Sequence, residues 1–346
     1  MTKVSIRDVA AYAEVSIATV SRIVNKIDHP ISPEARAKVE KAIRELHYVP
    51  NRSAQSLRKQ TSNGIALIVR NIGNSYFTEI AESVTETAIK NDCLSMVFNS
   101  MQDTQYEMRY YDLILRQHFD GVIIAGGGYS GERSPKGLKS ILRQLEQQGV
   151  RTVALAPQGF EIPSIIVDNE KIGHTLAGHL IERGHTRIAY IGGYEGHIAD
   201  DGRLKGFRER MARAGLPVDD SLIRRRDFTW QGGYDLCAEL LDGGGTFTAV
   251  CCSNDTVASG AMWHLKERGL SVPDDVSVIG VGNLMNAAYE RPGLTTIKLP
   301  FATQGRLAVE KILSGENLDT LHMRLDTELV ERESVRTLQR SVPTRS

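Results

Sequence analysis

Between positions 16 and 25 the chain sets two small apolar groups, hydroxyls, one guanidinium and one amide at helical spacing: Ile17, Ala18, Ser21, Arg22 and Asn25. On one outward helix face these side chains have the chemistry of base-edge recognition. Arg can bond bidentately to guanine, and small apolar groups can meet a thymine methyl in the major groove. Taken alone, the same face also suits a solvated helix in a helical hairpin. A second set lies far along the chain. Arg203 and Asp255 each open a helix just past the carboxyl end of an apolar run. A donor fork and an acceptor so placed can bracket a polyol's hydroxyls. The competing reading pairs Arg203 with Asp200 or Asp201 on the surface and makes Asp255 a helix cap. Tyr76, Phe77, Phe228 and Phe301 are aromatic candidates for a cleft wall, and each suits a core equally well.

Other patterns carry less. Residues 126–131 fit GxGxxG after a strand, but Glu132-Arg133-Ser134-Pro135 follows in place of a helix, so nucleotide binding is not expected. His174, His179 and His185 are spaced by five and six, which puts them on different helix faces, so no metal is expected. No Ser/His/Asp or paired-carboxylate set stands in a recognisable context. Neither an enzyme nor a cofactor is therefore expected.

The first set needs elements to hold it. Ile6, Val9, Ala10 and Ala13 predict a helix that Ser5 opens, with Asp8 completing a capping box. Val20, Ile23 and Val24 predict the buried side of the next helix, capped by Ser16. Only Glu14-Val15 separates the two, so they must cross steeply through a tight turn. A third helix over 32–48, with Ser32 as cap and Pro33 at its first position, buries Val39, Ala42, Ile43 and Leu46. Pro50 stops it, and residues 51–60 predict one further short helix. Residues 1–60 hold eleven Lys and Arg against six Asp and Glu. The chain as a whole is neutral, with 42 of each. A basic end on an acidic body is the charge pattern of a DNA-binding segment.

From residue 64 onward short apolar runs alternate with amphipathic segments. Strands at 65–69, 94–98, 121–125 and 152–156 are spaced by helices, and the pattern restarts at 164–167 and continues through 276–281. That alternation predicts parallel sheets covered on both faces, in two doubly wound α/β lobes that meet near Pro163. Ligands of such sheets lie beyond the strands' carboxyl ends, here in the cleft between lobes. The start MTKVSIRDVA has no apolar signal core, and no stretch reaches the roughly 18 apolar residues of a membrane span. Cys93, Cys237, Cys251 and Cys252 form no CxxC. A reducing cytoplasm is the expected location.

The stretches DVAAYAEVSIATVSRIVN and HYVPNRSAQSLR closely resemble the headpiece and hinge of the lac/Gal repressor family of bacterial transcription regulators. GHTRIAYIGG, TAVCCSNDTVASGA and VSVIGVGN resemble the family's core, itself similar to periplasmic sugar-binding proteins. The resemblance implies a helix-turn-helix headpiece at 1–50, a hinge helix and linker at 51–63, and a two-lobed core at 64–346. It also implies three crossovers, giving a first lobe of about 64–163 and 291–323 and a second of about 164–290 and 324–340. The expected DNA contacts are Ser5, Ser16, Ile17, Ala18, Thr19, Ser21, Arg22 and Asn25, with Asn51, Arg52, Ala54 and Leu57 in the hinge. Leu57 matches the family's intercalating leucine. The family pattern favours effector contact by Arg203 and Asp255. Ala125 and Ala156 stand at strand ends where polar residues often meet sugar hydroxyls, and Gly282-Asn283 replaces a common pair of aspartates. An ordinary hexose is thereby put in doubt, and a glycoside or modified sugar is the expected effector.

The expected function is a repressor, acting as a homodimer on palindromic operator DNA, whose affinity a carbohydrate-like effector controls. A sugar-binding protein without regulatory role is the alternative. The tail after Glu333 has too few apolar heptad positions for a coiled coil, so a dimer rather than a tetramer is expected.

Overall fold

The computed structural model describes residues 4–25, 29–49 and 64–338. The expected hinge contacts Asn51, Arg52, Ala54 and Leu57 lie outside them. By packing, the chain forms two units, Met1–Ser62 and Asn63–Ser346.

In the first unit, α1 (Ile6–Ala13), α2 (Ile17–Val24) and α3 (Pro33–Glu45) close on Val9, Ala10, Ala13, Val20, Ile23, Val39 and Ala42. Each start has its own device. The Ser5 backbone N–H donates to the Asp8 carboxylate at 2.7 Å, and the Asp8 carboxyl is lowered by that bond and the one from the Ser5 hydroxyl. The Ser16 hydroxyl accepts from the Thr19 N–H at 3.1 Å, and Ser32 does the same for Ala35 at 3.2 Å. The turn between α1 and α2 passes through Glu14 at φ 54°, ψ 41°. A left-handed residue with a side chain costs about 1–2 kcal/mol, and the Val15 N–H to Ala10 C=O bond at 3.1 Å helps offset it.

The second unit holds two six-stranded sheets. In chain order its elements are β1 (Gly64–Val69), α4 (Ser75–Lys90), β2 (Leu94–Asn99), α5 (Thr104–Arg116), β3 (Gly121–Ile124), α6 (Leu138–Gln147), β4 (Arg151–Ala154), β5 (Ser164–Val167), α7 (Asn169–Glu182), β6 (Ile188–Gly192), α8 (Ile198–Arg213), β7 (Ile223–Arg225), α9 (Trp230–Asp242), β8 (Ala249–Cys252), α10 (Asp255–Glu267), β9 (Ser277–Gly282), α11 (Met285–Tyr289), β10 (Thr295–Lys298), α12 (Phe301–Leu313), β11 (His322–Leu325) and β12 (Glu328–Val330). The first sheet runs β11-β5-β4-β3-β1-β2, all parallel. The second runs β12-β10-β9-β8-β6-β7, with only β12 antiparallel. Apolar runs such as Ile65–Val69 are buried throughout, because helices cover both faces.

The lobe boundaries differ from the expected ones. Residues 164–167 were expected to begin the second lobe, yet β5 completes the first sheet between β4 and β11. The reason is stagger: β5 starts where β4 ends, and only Ala154 and Ser164 stand side by side. No crossover helix is then needed between the two parallel strands. Residues 295–298 were expected in the first lobe, but β10 pairs with β9 in the second. The chain therefore crosses between β5 and α7, between β10 and α12, and between β11 and β12. The first lobe holds β1–β5, α12 and β11, and the second holds β6–β10 and β12. Close approach fixes the second lobe's helices. A Cβ on Gly173 of α7 would fall 2.0 Å from the Arg203 carbonyl, and one on Gly206 of α8 would fall 2.0 Å from the Glu170 carbonyl. Both positions need glycine for α7 and α8 to touch backbone to backbone. That contact sets where Arg203 points.

Candidate functional site

On the first unit, α2 exposes Ser16, Ile17 and Ala18, and leaves Thr19, Ser21, Arg22 and Asn25 partly exposed. Ser5 is exposed at the start of α1. Asn25 turns its amide back on Ser21, donating to its carbonyl at 2.6 Å and its hydroxyl at 3.1 Å. Arg22 makes no ion pair among the described residues, so its fork is available to an acceptor outside the protein.

In the second unit a cavity of about 90 Å³ lies between the lobes, beyond the strands' carboxyl ends. The first lobe gives Tyr76 and Phe77 from the opening turn of α4, which Asn74 caps by accepting from the Tyr76 N–H at 3.0 Å. Ala156 and Tyr129 stand beside them, past β4 and β3. The second lobe gives His197 and Arg203 from α8, Phe228 past β7, and Asn254, the cap of α10. Phe228 lies flat over Gly193, where a Cβ would meet its ring at 2.0 Å.

Arg203 is 8% exposed. Its Nε donates to Asn169 Oδ1 at 3.0 Å and its Nη1 to the Ser253 carbonyl at 2.5 Å. Nη2 is left for the cavity. The expected alternative, a surface pair with Asp200 or Asp201, does not form, because Arg225 takes both carboxylates, at 2.9 and 2.6 Å. His197 caps α8, its Nδ1 accepting from the Asp200 N–H at 3.4 Å, which assigns the proton to Nε2. Burial and the nearby cations Arg70, Arg203 and Arg225 push its imidazole down to about 3, so it is neutral at any physiological pH. The lobes are latched beside it. Ser130 N–H donates to the Gly196 carbonyl at 2.8 Å, and Ile198 N–H to the Gly128 carbonyl at 3.1 Å. The glycine run at 126–131, which resembled a phosphate loop, is one half of that latch.

Of the nine expected effector contacts, Tyr76, Phe77, Ala156, Arg203 and Phe228 line the cavity. Ala125, Asp255, Asn283 and Phe301 do not. Ala125 is sealed in the first lobe's core, and Phe301 is buried behind Tyr76, edge-on at 5.0 Å. Asn283 accepts from Arg332 Nη2 at 2.6 Å. Asp255 is fully buried: its Oδ1 accepts from the Thr296 hydroxyl at 2.5 Å and its Oδ2 from the Leu284 N–H at 2.8 Å. The cap of α10 is its neighbour Asn254. Arg70 and His197 are among the wall residues that were not singled out from the sequence. Arg70 directly follows β1, the positional rule that picked out Arg203, so the signal was present.

Burial raises the Asp255 carboxyl to about 6, against the lowering effect of its bonds from Thr296 and Leu284. Its folded value thus stands above its unfolded one. The linked stability is full below about pH 4 and is lost as pH rises through about 6. The gap corresponds to about 3 kcal/mol. Urea unfolding at pH 4 and pH 7 should show the wild type losing stability, relative to Asp255→Asn, across that window. Parallel profiles for the two proteins would remove Asp255 as the titrating group.

A three-helix headpiece followed by a two-lobed, cleft-bearing core defines a ligand-responsive DNA-binding regulator. Residues 5–51 match the family described as bacterial regulatory proteins, lacI family. Residues 62–324 match the periplasmic binding proteins and sugar binding domain of LacI family. The chain belongs to the LacI family of bacterial transcription regulators. It is 34% identical over 303 residues to the HTH-type transcriptional regulator DegA of Bacillus subtilis (strain 168), covering 88% of each chain. It is 33% identical over 343 residues to the HTH-type transcriptional repressor CytR of Escherichia coli (strain K12), covering 97% of this chain and 98% of that one. The crystal structure of a lac repressor dimer bound to operator and the anti-inducer ONPF matches with a TM-score of 0.84 and 27% identity, over 97% of this chain and all of that one. Among the described residues no helix is long and apolar enough to cross a membrane, and no His/Cys/Asp/Glu group could hold a metal.

Proposed function

We propose that this protein is a repressor that grips a palindromic operator as a homodimer and changes its grip when a small, carbohydrate-like effector occupies the cleft. It carries out no reaction, and it works where the chromosome is, in the cytoplasm. The observation that carries this reading is the pairing, in one chain, of a helix face with a free Arg22 fork and a latched interlobe cavity. Effector contacts at Tyr76, Phe77, Ala156, Arg203 and Phe228 bias how far the lobes close, and closure biases how two first lobes pack in the dimer. Two exposed apolar groups support self-association: Leu94 and Met96 on edge strand β2, and Trp263, Met285 and Tyr289 in the second lobe. The expected operator contacts are those of α2 together with Ser5 and the hinge residues Asn51, Arg52, Ala54 and Leu57, with Leu57 wedged between central base pairs.

Selection of bound sequences from random duplex DNA by the full-length protein tests the reading. The expected product is a two-fold symmetric site whose affinity falls steeply with salt. Binding without sequence preference, or to asymmetric single half-sites, would overturn it.

A further inference from the structure

The cavity's polar groups are unbalanced. Arg70 is 5% exposed, lines the cavity from the first lobe, and makes no hydrogen bond from any of its three nitrogens among the described residues. Its position is held by shape. The Tyr129 ring lies 4.7 Å from its guanidinium carbon, and its Nε lies 2.5 Å from where a Cβ on Gly126 would stand. Glu107, 3.2 Å from Nη1 and 1% exposed, balances its charge without satisfying its N–H groups. A buried guanidinium with unused donors is costly, and such sites gain most when an acceptor arrives. Across the cavity Arg203 offers Nη2, and His197 offers Nε2–H.

Apart from the Gln102 amide oxygen and the Tyr76 and Tyr129 hydroxyls, the side-chain acceptors on the wall are already spent. No Asp or Glu lines the cavity. The side-chain oxygens of Asn71, Asn74 and Asn254 accept from the backbone N–H groups of Gly73, Tyr76 and Val257. A neutral polyol needs an acceptor for each hydroxyl proton, and here few are offered against the donors of Arg70, Arg203 and His197. A ligand rich in acceptors and poor in donors has no such shortfall.

Resting on the effector reading of the cleft, we propose that the effector carries an anionic oxygen group, a carboxylate or a phosphate ester, that Arg70 reads from the first lobe while Arg203 holds the ring's other edge. Tyr76 and Phe228 take the ring's apolar face. Arg70 is then the residue that separates acids from their neutral parents.

The test is a thermal-shift and calorimetric comparison of the full-length protein with matched probes at about 10 mM. The probes are glucose, glucuronate and glucose 6-phosphate; galactose and galacturonate; and ribose and ribose 5-phosphate. The expected result is a raised midpoint with at least one acid and none with its neutral parent, and the glucuronate and glucose 6-phosphate arms tell carboxylate from phosphate. Arg70→Ala should weaken the active acid by about 10- to 100-fold. Because that change strands Glu107, the double variant Arg70→Met with Glu107→Gln, which removes both charges, should show the same loss in a folded protein. Neutral sugars binding as well as their acids, retention of acid binding by the double variant, or silence of every acid would each overturn the proposal. DNA affinity measured on the same samples keeps two failures apart. A neutral sugar that alters operator binding sinks the anionic group and leaves the regulator standing. An acid that binds through Arg70 without altering operator binding sinks the regulatory reading instead.

Discussion

Arg203→Ala should leave operator affinity at the wild-type level while the effector no longer changes it. The headpiece is a unit of its own, so a lesion in α8 does not reach it. In the cleft the loss is double. The effector loses its donor at Nη2, and Asn169 Oδ1 and the Ser253 carbonyl lose the bonds that Arg203 gives them. A bond to a charged group is worth about 1.5–3 kcal/mol, and each stranded acceptor costs about 1–3 kcal/mol. Effector affinity should therefore fall by at least about tenfold, together with a lowered unfolding midpoint for the core. Calorimetric titration and operator release, measured side by side, check this. A variant with normal operator release would place the effector elsewhere. Asp255→Ala should behave differently, because both of that carboxylate's oxygens face Thr296 and Leu284 rather than the cavity. Its chief effect should be on stability.

Arg22→Ala should cost about 1–3 kcal/mol per half-site and relax the preference at one G·C pair. Because two half-sites are bound, the penalty on a full operator is doubled, about 2–6 kcal/mol, if the sites are independent. Ser21→Ala provides the contrast. With its hydroxyl placed to meet phosphate rather than a base edge, the expected result is weaker binding without a change in preferred sequence. Repeating the random-duplex selection with each variant separates the two effects. An Arg22→Ala protein that selects the wild-type consensus would mean that another face of the headpiece enters the groove.

The headpiece was legible because its determinants are local. Capping pairs lie three residues apart, the stripe repeats every turn, and a two-residue link at Glu14-Val15 leaves no other geometry than a tight turn. The left-handed Glu14 itself follows from that shortness. In the core, strand type and order along the chain were equally local, whereas sheet membership was not. β5 joins the first sheet through a single residue's overlap with β4, and no periodicity reports overlap. The cleft shows the same division. Strand-end position picked out Arg203 and Asp255 alike, but where each side chain points depends on partners far along the sequence. Arg203 is steered by Asn169 across the Gly173 and Gly206 contact, and Asp255 is drawn inward by Leu284 and Thr296, 29 and 41 residues away. Arg70 carried the same positional signal but was passed over among the residues between β1 and α4.

The three passages of the chain between lobes have a consequence for descent. Residues 1–62 are one uninterrupted segment, so a single recombination event can transplant a headpiece, and its operator preference, onto another core. Neither lobe is such a segment: the first is assembled from β1 through β5 and again from α12 and β11, and the second from the stretches between and after. No single exchange of gene fragments can transplant a whole lobe without tearing the other. Operator choice can thus be inherited by a single shuffle, whereas an intact lobe cannot.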